Sequence, residues 1–152
     1  MANTFYQLHA HLVFSTGGRR PVLTDKIAPD LYAYLGGAIR SEDAHAFIVG
    51  GHLDHIHALI GFKPTHCLAD LVRNIKANSS KWLGKKIVGP HKFRWQRGYG
   101  IFSVSHSQRE TVKEYISKQA EHHRQRTFEE EFRGLLANHG VTFEEAYLFD
   151  DE

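Results

Sequence analysis

Hydrophobic and polar positions alternate along residues 5–15, FYQLHAHLVFS. Tyr6, Leu8, Ala10, Leu12 and Phe14 fall on one side of an extended chain; Gln7, His9, His11, Val13 and Ser15 fall on the other. That pattern predicts a strand with one fully apolar face. The turn-rich, basic TGGRRPVL follows. Over residues 25–41, Ile27, Leu31, Leu35 and Ile39 recur every four residues and predict a helix with Pro29 in its first turn. AHAFIVGG and HIHALIGF read as two antiparallel strands around a short connection. From Thr65 to Lys86 a second helix places Leu68, Leu71, Val72 and Ile75 on one stripe, with Trp82 two turns beyond. IFSVS is a fourth short strand after the loop GPHKFRWQRGYG. SQRETVKEYISKQAEHHRQR then reads as a helix opened by an S-x-x-E capping box, Ser107 and Glu110, with Val112, Tyr115, Ile116 and Gln119 on its stripe. The acidic tail from Thr127 begins as a further helix, FEEEFRGLLANHG.

The order is β-α-β-β-α-β followed by further helices, which is the ferredoxin-like, α+β order with an added C-terminal helix. The chain reads as one domain, with a core over about residues 5–126 and a tail over 127–152. In the third strand, Ile56, Ala58, Ile60 and Phe62 face one way, and His55, His57, Leu59 and Gly61 the other. In the fourth, Phe102 and Val104 oppose Ser103 and Ser105. We therefore expect one sheet face packed on helices and one face bearing histidines.

Composition narrows the classes. The chain of 152 residues carries a net charge of only +2, with twelve histidines outside that sum, and a pI near 8.7. Such a balance permits nucleic-acid binding without demanding it. The single cysteine, Cys67, excludes an intrachain disulfide and a thiolate-rich zinc site; we expect it as a small core residue on a helix face. No apolar run reaches the roughly 18 residues of a membrane span, and the N-terminal MANTFYQLHAHLVF lacks a signal-peptide pattern. The expectation is a cytoplasmic protein.

The chemistry concentrates in two places. His55 and His57, two apart on a strand, project the same way with bases roughly 6–7 Å apart. They can grip one metal ion, or can simply be hydrogen-bonded on a sheet; a bare H-x-H fixes no chemistry. His9 and His11 form a second such pair, read as packing or supporting residues. Tyr115 and Gln119 share a helix face one turn apart. Periodicity alone makes Tyr115 a core aromatic. A glutamine on an apolar stripe, however, is costly without partners, and its amide oxygen suits Mg²⁺ or Mn²⁺ in a mixed N/O site. Basic residues cluster in the second half of the fold: Arg73, Lys76, Lys81, Arg94 and Arg97, interleaved with Trp82, Phe93, Trp95 and Tyr99. Arg19 and Arg20 add a second basic spot. Positive charge among aromatic platforms is what single-stranded nucleic-acid binders use; a solvated helix face with ordinary core aromatics is the alternative.

Three blocks in order, GGHLDHIHALI, WQRGYGIFSVS and VKEYISKQAEHH, resemble the single-tyrosine HUH transposases of the insertion-sequence 200/605 type. The opening YQLHAHLVFSTGGRRPVL is similar as well, so the resemblance covers about residues 5–126. Leu53 departs from the pattern, since many members have proline there. The resemblance implies a divalent metal, Mg²⁺ or Mn²⁺, held by His55, His57 and Gln119, with Tyr115 as nucleophile. It implies single-stranded DNA with hairpin ends as substrate, cleaved and rejoined through a 5′-phosphotyrosine. It also implies a homodimer in which Tyr115 can serve the partner's histidines. A non-catalytic single-stranded nucleic-acid-binding module derived from a transposase and a metal-dependent hydrolase of small phosphoesters are the competing expectations.

Overall fold

The computed structural model describes residues 3–149. Its elements are β1 (His9–Ser15), α1 (Ala28–Ser41), β2 (His45–His52), β3 (His55–Gly61), α2 (Leu68–Lys86), β4 (Gly100–Val104), α3 (Arg109–Ser117), α4 (Gln119–His122) and α5 (Phe128–Asn138). The strands form one sheet in the order β2-β3-β1-β4, with every pairing antiparallel. This is the ferredoxin-like arrangement that the element order predicts. No helix among the described residues is long and apolar enough to cross a membrane.

The alternation along the strands decides what each sheet face meets. Ala10, Leu12 and Phe14 of β1 and Ile56, Ala58 and Ile60 of β3 are buried against Leu31, Leu35 and Ile39 of α1 and Leu71, Val72 and Ile75 of α2. Pro29 sits in the first turn of α1, where its missing N–H costs no helix bond. Phe93 and Trp95, from the aromatic loop, join this core, and Trp82 stacks on Tyr34 of α1.

Several local expectations are corrected. β1 starts at His9 rather than residue 5, because His9 already pairs with the last residues of both neighbours, Gly61 and Val104; Phe5 is left 92% exposed. Ser107 does not cap a helix. It lies in a 3-10 turn (His106–Gln108), its hydroxyl bonded to Ser105, and α3 starts at Arg109 without a side-chain cap. The capping box falls instead on Thr127 and Glu130, at the start of α5. The expected single helix over 107–126 breaks at Lys118 (φ −107°, ψ 24°), between α3 and α4. Cys67 is exposed just before α2. It precedes the first helical turn, so the stripe does not carry it inward.

The second face of the sheet is covered too. Pairing sets Phe102 and Val104 of β4 opposite His11 and His9, so the apolar residues of β4 share the histidine-bearing face rather than the α1/α2 face. Val13 and Phe102 pack with Phe128, Phe132 and Leu136 of α5. Leu59 and Val104 pack with Ile116 of α3. Gly50 makes the second contact close: it pairs with His57 across β2–β3, and a Cβ there would stand 3.0 Å from both the Cγ2 and the carbonyl oxygen of Ile116. The glycine lets α3 lie against the sheet beside the histidines.

Candidate active site

His55 and His57 leave β3 toward α3–α5 and are fully buried. Each ring is held from behind. The His55 Nδ1–H donates to Asp54 Oδ1 at 2.7 Å, which turns Nε2 inward. His57 Nδ1 lies 2.7 Å from His11 Nε2, and the two rings stack. His11 is thus the supporting member of the second histidine pair, while His9 packs edge-on against Phe47 at the sheet margin.

On the facing helices, Gln119 opens α4 and is buried, with its Oε1 2.9 Å from His55 Nε2. Tyr115, half-buried in the last turn of α3, stands edge-on to His57 with ring centroids 5.9 Å apart. The centre of the cluster is Glu131, only 1% exposed, on α5. Its Oε1 lies 3.0 Å from His57 Nε2 and 3.4 Å from His55 Nε2. Its Oε2 accepts from the Tyr115 hydroxyl and, at 3.0 Å, from Gln119 Nε2. His123 Nε2 adds approaches of 3.1 Å to Gln119 Oε1 and 3.2 Å to Glu131 Oε1. Arg126 Nη2 donates to the Tyr115 oxygen at 3.0 Å.

The charges follow from burial and partners. For Glu131, burial opposes ionisation, but bonds from His123, His55 and His57 overcome it and hold its carboxyl far below the carboxylate range. His55 is likewise opposed by burial and raised to about 9 by Asp54 and Glu131. His57, fully enclosed, is lowered to about 4, chiefly by desolvation. His11 falls well below its usual value for the same reason, with the His57 charge adding to it. Tyr115 is raised, first by burial and then by the Glu131 carboxylate.

The donor set fits a metal ion. One ligand atom each from His55, His57 and Glu131 lie within 4.8 Å of one another. Adjacent ligands of an octahedral ion with bonds of 2.0–2.1 Å stand about 3 Å apart, close to the 2.9, 3.0 and 3.4 Å separations among Gln119, His55, His57 and Glu131. The Asp54–His55 and His11–His57 contacts are of the kind that orients imidazoles where they bind a metal. A cavity of about 250 Å³ reaches this cluster, with Tyr115, Glu131, Arg126 and His11 among its walls.

Comparison with known proteins decides the family. The model of the IS200-like transposases matches residues 4–119. The chain belongs to the IS200-like transposases. It is 26% identical over 121 residues to the ISDra2 transposase TnpA of Deinococcus radiodurans, covering 75% of this chain and 85% of that protein. A crystal structure of a candidate transposase from Deinococcus radiodurans R1 superposes with a TM-score of 0.64 at 26% identity, over 78% of this chain and 95% of the other. A REP-associated tyrosine transposase, solved bound to a REP hairpin, shares the fold at 11% identity and a TM-score of 0.52, over 78% of this chain and 70% of that one. As a member of this family, the transposase is a DNA-processing enzyme of recombination.

The transposase brings His55, His57, Tyr115 and Gln119 together in a single chain. Its basic residues are placed differently. Lys76 donates to the carbonyls of Gln96 (2.6 Å) and Gly98 (2.9 Å), fastening the aromatic loop to α2. Arg19 pairs with Glu129 at 3.2 Å and lies over the Phe149 ring, holding the C-terminal segment. Arg73 pairs with Asp70 on the surface of α2. Arg20, Lys81 and Arg97 are exposed. Arg20 and Arg94 line a groove of about 160 Å³ with residues 87–93.

Sequence reasoning missed Glu131, His123 and Arg126, all beyond the matched segment. For Glu131 a signal existed: it lies three residues after Phe128 and four before Leu135, on the apolar side of its helix. This is the signal that singled out Gln119, but it was hidden among Glu129, Glu130 and Glu131.

Proposed function

We propose that this transposase cleaves and rejoins single-stranded DNA with hairpin ends, with Tyr115 as nucleophile and His55, His57 and Gln119 as ligands of a divalent ion, Mg²⁺ or Mn²⁺. The observation that supports this most is the placement of the Tyr115 hydroxyl beside the buried His55–His57–Gln119 cluster, at the end of an open cavity. When bound, the ion would polarise the scissile phosphate and offset charge on the phenolate oxygen. The remaining work belongs to side chains. Tyr115 attacks phosphorus, the bond to the 3′ oxygen breaks, and the DNA 5′ end is left on the tyrosine while a 3′-hydroxyl departs with a proton. The phosphotyrosine conserves the bond energy, so rejoining is attack by a 3′-hydroxyl in reverse. Arg126, 3.0 Å from the Tyr115 oxygen, offers a cation to the phenolate and to an arriving phosphate. The matched relatives are transposases, and one neighbour of the same fold was solved on a hairpin, which supports the choice of substrate.

The homodimer implied by the sequence resemblance stays within the proposal. Because one chain supplies both Tyr115 and the histidines, we place the site in cis. The reaction belongs in the cytoplasm, where such DNA is met.

The test is a denaturing gel of the protein with single-stranded hairpin DNA from the ends of its own element, with Mn²⁺ or with chelator. We expect a covalent adduct that needs metal and disappears in Tyr115→Phe. Salt-sensitive DNA binding with no adduct on those ends would instead favour the non-catalytic reading.

A further inference from the structure

We propose that Glu131 is an anionic ligand of the divalent ion, delivered to the histidine pair by α5 from outside the matched family segment. The inference rests on the metal site of the proposed function and adds a ligand to it. Three observations carry it. First, a single Glu131 oxygen approaches the inward nitrogens of both rings: Oε1 lies 3.0 Å from His57 Nε2 and 3.4 Å from His55 Nε2. Second, it is 1% exposed in a cluster whose other members are imidazoles, an amide and a phenol; a buried carboxylate requires a cation beside it, and a divalent ion between Oε1 and the two rings would supply it in place of a protonated imidazole. The Arg126 guanidinium stands 4.0 Å from the other oxygen, which leaves Oε1 to the histidine side. Third, α5 is built to hold that position. Phe128 and Phe132 are anchored with Val13 and Phe102, and Thr127 with Glu130 closes the first turn.

The two oxygens of Glu131 divide the work. Oε1 faces the nitrogens of His55 and His57, while Oε2 holds the Tyr115 hydroxyl and Gln119 Nε2. One carboxylate therefore ties the metal donors to the nucleophile. His55, His57 and Gln119 are neutral as ligands, so Glu131 brings the only negative charge to the donor set. A hard oxygen anion beside two imidazoles favours Mn²⁺ or Mg²⁺ over softer ions. The rival role is a surrogate for the substrate: a carboxylate that takes the place of the scissile phosphate between Tyr115 and the histidines, and that leaves when metal and DNA arrive.

Titration calorimetry of the full chain with Mn²⁺, without DNA, separates the two. We compare the parent, Glu131→Gln, Glu131→Asp and His57→Ala. His57→Ala is expected to abolish binding. Glu131→Gln keeps the shape and loses the charge; its Mn²⁺ affinity is expected to fall by more than the roughly 10–100-fold that loss of an outer hydrogen bond costs. Glu131→Asp, with the charge on a shorter arm, is expected to fall between. Equal or tighter Mn²⁺ binding by Glu131→Gln, with His57→Ala still inactive in binding, would overturn the ligand role and leave the proposed function standing. Failure of the parent to bind Mn²⁺, or binding untouched by His57→Ala, would overturn both. If Glu131→Gln does not fold, Glu131→Asp against Glu131→Asn supplies the same comparison of charged with uncharged.

Discussion

The two faces of the sheet are filled by different means. Toward α1 and α2, the buried strand residues are uniformly apolar: Ala10, Leu12, Phe14, Ile56, Ala58 and Ile60. Toward α3–α5, five buried polar residues, His11, His55, His57, Gln119 and Glu131, meet in one network. Apolar clusters flank that network on both sides: Val13 with Phe128 and Phe132, and Leu59 with Val104 and Ile116. The first face depends on area removed from water, which is non-directional. The second depends on each polar group being satisfied by particular neighbours in a medium where an unpaired group is costly. One strand pair, β1 and β3, serves both faces because its side chains alternate. Stability and chemistry should therefore separate when residues on opposite faces of the same strand are changed.

The largest separation is expected at Phe14. It is fully buried between Trp95 and the α2 side of the core, and Phe14→Ala should destabilise the fold by about 3–5 kcal/mol, read as a shift in a urea unfolding curve. The folded fraction should still bind Mn²⁺ with the parent's affinity, since Phe14 touches none of the donors. His11→Ala, three residues away on the opposite face, should do the reverse. It removes the partner of His57 Nδ1 and should weaken Mn²⁺ binding by about 10–100-fold, measured by calorimetry, with a smaller change in the unfolding midpoint. Loss of metal affinity in Phe14→Ala comparable to that in His11→Ala would show that the two faces are one cooperative unit.

The apolar face was legible in the sequence because burial on a sheet leaves a period of two and burial on a helix a period near four. Leu12, Ile56, Leu35 and Ile75 are all where those periods put them. The histidine face was legible only in part. His55 and His57 stood out as polar residues in an apolar run, and Gln119 as an amide on an apolar stripe. Glu131 broke its stripe in the same way, but three consecutive glutamates masked it, and its spacing from Phe128 and Leu135 turns it inward without saying what it meets there. What selects Glu131 is tertiary: Phe128 and Phe132 must reach Val13 and Phe102, and that rotation of α5 points residue 131 at the histidines. Turn chemistry misled for a similar reason. S-x-x-E at Ser107 and T-x-x-E at Thr127 are equivalent as patterns, yet only at Thr127 does the chain enter the helix directly from an extended residue (φ −78°, ψ 164°); before α3 a 3-10 turn occupies Ser107.

The smallest effect is expected at Thr127, and it bears on how firmly the histidine face is closed. The Thr127 hydroxyl accepts from the Glu130 N–H at 3.2 Å, and Thr127→Ala should cost about 1 kcal/mol of helix stability. No metal donor and no apolar anchor of α5 is touched. If α5 unfolds only with the whole domain, that loss should appear in the global unfolding curve, and hydrogen exchange should quicken equally, about fivefold, in the slowest amides of α5 and β3. Mn²⁺ affinity should then stay with the parent, because the bound and free folded states carry the same cap. If α5 instead opens by itself, its amides should quicken while those of β3 do not, and Mn²⁺ affinity should fall only where the open form is a sizeable fraction of the folded protein. That fall could not exceed about fivefold, since a ligand contributed by an opening helix is weakened only as far as the closed population drops. We expect the first outcome. Phe128 and Phe132 bury two aromatic rings against Val13 and Phe102, and Arg19 and Arg133 hold the following segment through Phe149. A helix anchored at that many points loses little from one missing cap bond.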